Sequence, residues 1–113
     1  MLPLENRLLL RRDFELIKKR GKKIQGELFG LLVLKTQNDY SRLGFILSTK
    51  LSKKAVKRNR AKRQLREAVR EFLPKAKPGF DIIFLGKKGV LEADFKQIKR
   101  GVKEVFQQAS LLR

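Results

Sequence analysis

The sequence predicts an α+β fold, a small sheet of three to four strands carrying three helices in the order α-β-β-(β)-α-β-α, and three observations predict it. Long segments carry apolar residues at helical spacing, shorter ones carry continuous apolar runs of strand length, and Gly, Pro and Asn-Asp turns divide them. At 113 residues with 42% apolar side chains, the chain can close one hydrophobic core but is too short for two independently folded units. Residues 1–113 are therefore expected to form a single domain, without internal repeat, low-complexity tract or linker.

Arg12-Asp13-Phe14-Glu15-Leu16-Ile17-Lys18-Lys19-Arg20 places acids early and bases late and is followed by Gly21, the pattern of a first helix. Ile24 marks a possible short strand. Leu28 to Leu34 is an apolar run, Asn38-Asp39 are turn-prone, and Leu43-Gly44-Phe45-Ile46-Leu47 resumes the run, which predicts two antiparallel strands joined as a hairpin. From Ser52, read as an N-cap, to Phe72, apolar residues at Ala61, Leu65, Ala68, Val69 and Phe72 lie on one helical stripe, and Pro74 stops the helix. Phe80 to Leu85, set between Pro78-Gly79 and Gly86, is the last strand. Leu91, Phe95, Ile98, Val102, Val105, Phe106 and Ala109 trace the stripe of a final helix, which Gly101 weakens without cancelling.

Lys and Arg number 29 against 11 Asp and Glu, a net charge of +18. Such an imbalance repels itself unless an anionic partner offsets it. Nucleic acid is the first candidate, because each phosphate neutralised releases condensed counterions and adds affinity without regard to sequence. An acidic membrane would call for a basic amphipathic helix with bulky apolar anchors or a lipidation signal, and the sequence offers neither. No apolar run approaches the ~18 residues of a spanning helix, and the opening Met1-Leu2-Pro3-Leu4-Glu5 lacks the order of a secretory signal, so a cytoplasmic location is expected. Cysteine and histidine are both absent, which excludes disulfides, thiolate chemistry, imidazole bases and the usual zinc-ligand sets.

The most informative stretch runs from Lys50 to Glu67. Basic side chains stand at Lys50, Lys53, Lys54, Lys57, Arg58, Arg60, Lys62, Arg63 and Arg66, opposed only by Glu67. On a helix, residues 53, 57, 60 and 63 form one row and residues 58, 62 and 66 an adjacent one. Like charges so spaced cost a few tenths of a kcal/mol per pair, a cost that arriving phosphates would offset, and Arg can grip phosphate oxygens with two parallel bonds. The bland alternative is a solvated face that keeps the protein soluble. Asn59 either meets a 2′-hydroxyl or base edge with its amide, or is simply a polar residue near a helix start.

Lys53-Lys54-Ala55-Val56-Lys57-Arg58-Asn59-Arg60-Ala61-Lys62-Arg63-Gln64-Leu65-Arg66-Glu67 resembles the signature of the bacterial ribonuclease P protein family, whose core is Arg-Asn-Arg, a spacer, Lys-Arg and a further Arg. The resemblance extends along the chain: Leu8 with Arg12-Asp13-Phe14 and Gly21 is similar to the family's opening helix, Arg42-Leu43-Gly44 to its central strand, and Gly79-Phe80-Asp81-Ile82 to its final strand. It implies a ribosomal-protein-S5-domain-2-like fold, with a mixed sheet and a left-handed β-α-β crossover around the second helix, against the usual right-handed preference. It also implies a protein subunit of a ribonucleoprotein endonuclease that removes the 5′ leader of precursor tRNA, with Mg2+-dependent hydrolysis in the catalytic RNA and no cofactor held by this chain. Under that resemblance Lys53, Lys54, Lys57, Arg58, Asn59, Arg60, Lys62, Arg63 and Arg66 face the RNA subunit. Arg12, Phe14, Ile17 and Lys18 line a leader cleft with Phe29 and Leu32. The expected partners are the catalytic RNA and precursor tRNA, with no membrane and no obligate protein partner.

Family members often place aromatic residues in that cleft, where this chain has Lys18 and Leu32. Phe14 and Phe29 remain as stacking platforms, each worth about 1–3 kcal/mol to a stacked base, or else are ordinary core residues. Gly86-Lys87-Lys88-Gly89 lacks P-loop spacing and reads as a basic turn. Asp13, Glu15, Glu92 and Asp94 fall in opening turns of predicted helices, where the dipole favours acids, so an acid/base or metal site is not expected of them. The competing function is a ribosomal-protein-like or general nucleic-acid-binding module without a catalytic partner. An independent protein nuclease would need acidic or imidazole groups that the sequence does not supply.

Overall fold

Phe80-Asp81-Ile82-Ile83-Phe84-Leu85 is apolar at both parities, and a strand apolar on both faces belongs in the middle of a covered sheet. The computed structural model, which describes residues 11–112, places it there. The elements are α1 (Arg11–Arg20), β1 (Lys22–Gln25), β2 (Phe29–Lys35), β3 (Arg42–Ile46), α2 (Ala55–Phe72), β4 (Phe80–Gly86) and α3 (Phe95–Gln108). They form a four-stranded sheet in the order β1-β2-β4-β3. β4 pairs antiparallel with β2 and parallel with β3, and β1 pairs antiparallel with β2. The result is the predicted α+β fold with a mixed sheet, and the short strand suggested by Ile24 is present as β1.

The predicted hairpin is not formed. β2 and β3 follow one another in sequence, yet β4 inserts between them, so the Asn38-Asp39 loop spans two strands that never pair. Alternation explains the preference. β3 offers mainly Leu43 and Phe45 to the larger core, whereas β4 offers Ile82 and Phe84 to one face and Ile83 to the other, all buried. Burying that strand on both sides removes the most apolar surface from water.

Parity divides the sheet into two unequal faces. Phe29, Leu31, Leu43, Ile82 and Phe84 point toward α2 and α3, where they meet Ala61, Leu65, Val69, Ile98, Val102 and Phe106 in the larger core. The Phe84 ring lies 5.5 Å from Phe29, 5.3 Å from Phe45 and 6.0 Å from Phe106. Leu32 and Ile83 point the other way and meet Ile17 of α1 in a smaller cluster. Gly21 allows α1 to end directly against the sheet: its N–H donates to Ile17 O at 2.7 Å, and a Cβ there would lie 2.4 Å from that same oxygen. Gly101 has a comparable reason to sit inside α3, since the Phe29 ring would be 3.1 Å from an added Cβ.

Two helix boundaries differ from expectation. Ser52 does not cap α2. Its hydroxyl accepts from Lys54 N–H at 3.1 Å in a turn before the helix, and Lys54 occupies the N-cap without a side-chain cap bond. Lys53 and Lys54 therefore precede the helix rather than forming part of its rows. Leu91 likewise lies in a short 3-10 turn, Lys88–Leu91, because Asp94 starts α3 more strongly. Asp94 Oδ1 accepts from Gln97 N–H at 2.8 Å and Gln97 Oε1 accepts from Asp94 N–H at 2.9 Å, a reciprocal capping box. Asp94→Ala should cost about 1 kcal/mol, readable as a melting temperature about 4 °C lower. Among the described residues no helix is long and apolar enough to cross a membrane.

Candidate nucleic-acid interface

The apolar stripe of α2 decides which side chains are left for a partner. Ala61, Leu65, Ala68 and Val69 are buried against the sheet and α3. The remaining positions of the helical circle carry Lys57, Asn59, Arg60, Arg63 and Arg66, all exposed, with Lys62 partly covered at the margin. Lys53 and Lys54, also exposed, extend this cationic ridge beyond the helix start. The acids of α2 are occupied elsewhere: Glu67 Oε2 accepts from Arg70 at 3.0 Å and Glu71 pairs with Lys99 of α3 at 2.8 Å. Among the described residues no ion pair engages a cation between positions 53 and 66.

Arg58 and Arg66 are the exceptions to a purely solvent-facing ridge. Arg58 Nη1 donates to Ser52 O at 2.6 Å, tying the preceding loop to the first turn of α2. Arg66 lays its guanidinium 5.8 Å from the centroid of the Phe45 ring, whose other neighbour is Phe84 at an interplanar angle of 22°. That contact sets one Arg cation over the aromatic face of edge strand β3. Asn59 is exposed.

The second surface lies on the opposite face of the sheet, beside α1. Ile17, Leu32 and Ile83 are buried there, while Phe14, Leu34, Ile46 and Leu85 are only partly covered. Phe14 and Lys18 are four residues apart and share one flank of α1. Asp13 occupies the other flank, where it reaches Arg42. The sheet has Arg42, Asp81 and Leu34 in register at one end and Ile46, Leu85 and Gly30 at the other. Phe14 packs against the same small cluster as the partly covered Ile46 and Leu85, and Lys18 is exposed one turn further along that flank. Ile17 and Leu32 shape the floor from beneath, with 0% and 8% of their surface accessible.

Two residues expected in this cleft are elsewhere. Phe29 has the opposite parity to Leu32 and points into the larger core, 1% exposed and against Phe84; core packing accounts for it, and it offers no ring to a base on the α1 face. Arg12 is exposed on the outer side of α1, turned away from Ile17. Leu8 lies outside the described residues.

Sequence reasoning missed the group that ties α1 to the sheet. Arg42 Nε and Nη2 donate to the two carboxylate oxygens of Asp81 at 2.9 and 2.6 Å, and Nη2 also reaches Asp13 Oδ1 at 3.3 Å. The bond to Asp81 raises the Arg42 pKa still further above its ordinary value, against the opposing effect of burial. Asp13 is thus more than a dipole-favoured acid in an opening turn. Its pairing was illegible because the three residues belong to separate elements. Lys23 was also missed: it is in register with Leu32 and shares its α1-facing side, a fact set by strand pairing alone. Among the described residues no group of three carboxylates gathers as a cation site.

Comparison with known proteins accords with this geometry. A sequence model of the family described as Ribonuclease P matches residues 2–110. The ribonuclease P protein component of a Synechococcus strain is 35% identical over 99% of this chain and 87% of its own length. The solved ribonuclease P protein of Thermotoga maritima is 39% identical, with a TM-score of 0.82 over 90% of this chain and 96% of that one. That of Staphylococcus aureus is 27% identical, with a TM-score of 0.86 over 96% and 98%. With matched sequence, matched fold and a cationic α2 bearing Arg58-Asn59-Arg60, the chain belongs to the ribonuclease P protein family and has the role of that ribonucleoprotein's protein subunit.

Proposed function

We propose that this subunit grips the catalytic RNA of ribonuclease P through the α2 ridge and holds the single-stranded 5′ leader of precursor tRNA in the α1 cleft. Hydrolysis is assigned to the RNA partner, which would supply the Mg2+ chemistry. Cations whose neighbouring carboxylates are engaged elsewhere support the first part: phosphates can neutralise Lys57, Arg60 and Arg63 without breaking any ion pair among the described residues. Arg60 and Arg63 can each meet phosphate oxygens bidentately, while Asn59 supplies a donor and an acceptor suited to a 2′-hydroxyl.

The observation that carries the reading is the placement of both surfaces at one end of the sheet. β3 ends at Ile46, which packs against the same small cluster as Phe14, and residues 47–54 lead directly into the basic start of α2. An RNA bound on the ridge therefore presents its substrate next to the cleft. The protein would raise affinity for precursor over product, and its charges would let the RNA retain divalent ions at lower concentration. A folded-RNA partner also makes the cytoplasm the expected compartment.

Reconstitution tests the whole. Added to the RNA subunit at low magnesium, the protein should accelerate 5′ cleavage of precursor tRNA. No acceleration, or equal binding to folded RNA and duplex DNA, would reject the reading in favour of a general polyanion binder. Within it, Phe14→Ala should weaken holoenzyme binding of precursor about 10-fold, the value of one base stacked on an aromatic ring. Binding of mature tRNA, which lacks the leader, should not change, and paired titrations of precursor and mature tRNA would check this.

A further inference from the structure

The α1 cleft does not end the cationic surface on that side of the molecule. We propose that Lys18, Lys19, Arg20, Lys22 and Lys23, gathered where α1 turns into edge strand β1, form a track that carries the phosphates of the leader onward after it leaves the cleft. The inference rests on the leader-binding reading and extends it to a part of the substrate that Phe14 and its neighbours do not reach.

All five side chains are exposed, and among the described residues none enters an ion pair. The nearest preceding acid, Glu15, is directed back toward Arg11 at 3.4 Å. Gly21 lets the last turn of α1 abut the first residue of β1, so cations from a helix end and a strand start are brought into one cluster. β1 lies at the edge of the sheet. Lys23 shares the face of Leu32, and Lys22, in register with Val33, takes the other face. A polyanion passing over this edge meets positive charge on both sides, and Lys18, on the cleft flank of α1, joins the two surfaces.

Structural roles explain part of this cluster only. Bases in the last turn of α1 complement the helix dipole, which accounts for Lys18, Lys19 and Arg20. An edge-strand lysine discourages pairing with a second chain, which accounts for one of Lys22 and Lys23. Five cations in six residues, none of them ion-paired among the described residues, repel one another, and the two needs together do not call for that density. A flexible single strand of phosphates does, and the neighbouring cleft is where such a strand would emerge.

The test is leader length. Holoenzyme carrying Lys19→Gln, Lys22→Gln and Lys23→Gln together is titrated with precursors whose leaders lengthen nucleotide by nucleotide, and its melting temperature verifies the fold. Wild-type affinity should climb past the cleft and then level off, whereas the variant should level off earlier. Its affinity for the longest leaders should be about 10-fold weaker, and the salt slope should fall by about 0.7 for each single-strand phosphate no longer neutralised. The corresponding Lys→Arg triple variant should restore the long-leader gain. An unchanged length profile would overturn the proposal, and so would an equal loss at every length including mature tRNA, which would assign the cluster to tRNA body or RNA subunit. Failure of the underlying reading would look different, since wild-type holoenzyme would then show no leader dependence at all.

Discussion

Replacing Arg60 and Arg63 together by Ala is expected to weaken binding to the catalytic RNA about 100-fold while leaving the melting temperature unchanged. Both side chains are exposed on α2 and neither has an internal acidic partner among the described residues, so their removal costs the fold nothing that packing supplied. Under the proposed function they would supply charge-assisted bonding to phosphate, about 1.5 kcal/mol or more for each contact, and two such contacts amount to roughly two decades in affinity. The slope of log affinity against log salt should fall by about 2, roughly one unit for each phosphate no longer neutralised. Arg58→Ala should behave differently: it removes a cation and also the 2.6 Å bond to Ser52 O, so it should loosen the loop before α2 as well as weaken RNA binding. Filter-binding titrations across a salt series, run beside thermal melts, separate the two effects. Affinity within twofold of wild type for the Arg60/Arg63 variant would remove the ridge from the mechanism.

The ridge was legible in the sequence because it is a local property. An apolar stripe at Ala61, Leu65, Ala68 and Val69 fixes which side of a helix is buried, and residues between those positions must then face outward. The helix start was less legible, since Ser52 has cap chemistry but spends it in a turn two residues earlier. Strand order was not legible at all. Asn38-Asp39 has every local feature of a hairpin turn, and only the competition for burial on both faces, won by β4, shows that β2 and β3 are separated. The misplacement of Phe29 follows from the same limit: a run such as Phe29 to Leu34 is apolar at both parities, so periodicity could not say which residues face α1. Once pairing sets the register, Leu32 and Lys23 go to one side and Phe29 to the other.

Arg42→Ala should be among the most destabilising single substitutions outside the apolar core. The guanidinium satisfies both oxygens of Asp81, whose side chain is 5% exposed, and one oxygen of Asp13, whose side chain is 14% exposed. Asp13 Oδ2 is already buried without a hydrogen-bond partner among the described residues. Deleting Arg42 strands two neighbouring carboxylates in a poorly solvated site, and breaking a buried pair this way costs about 3–5 kcal/mol. The Arg42 side chain is itself 24% exposed, so water offsets some of that loss and about 3 kcal/mol is expected. The melting temperature should fall by about 12 °C or more. Arg42→Ala combined with Asp81→Asn should be less destabilised than the sum of the single changes, with a coupling of about 1–3 kcal/mol. The pH dependence has a definite sign. A pKa raised in the folded state gives stability that is complete below the unfolded value and lost only as pH rises through the folded one. Both values for Arg42 are strongly alkaline, so its contribution should stay constant across neutral pH. Because Asp13 sits in the first turn of α1, the same substitution should also misalign Phe14 and Lys18, raising the dissociation constant for precursor more than that for the RNA subunit. Melting within 2 °C of wild type, with precursor affinity intact, would show that α1 is held by Ile17, Leu32 and Ile83 alone.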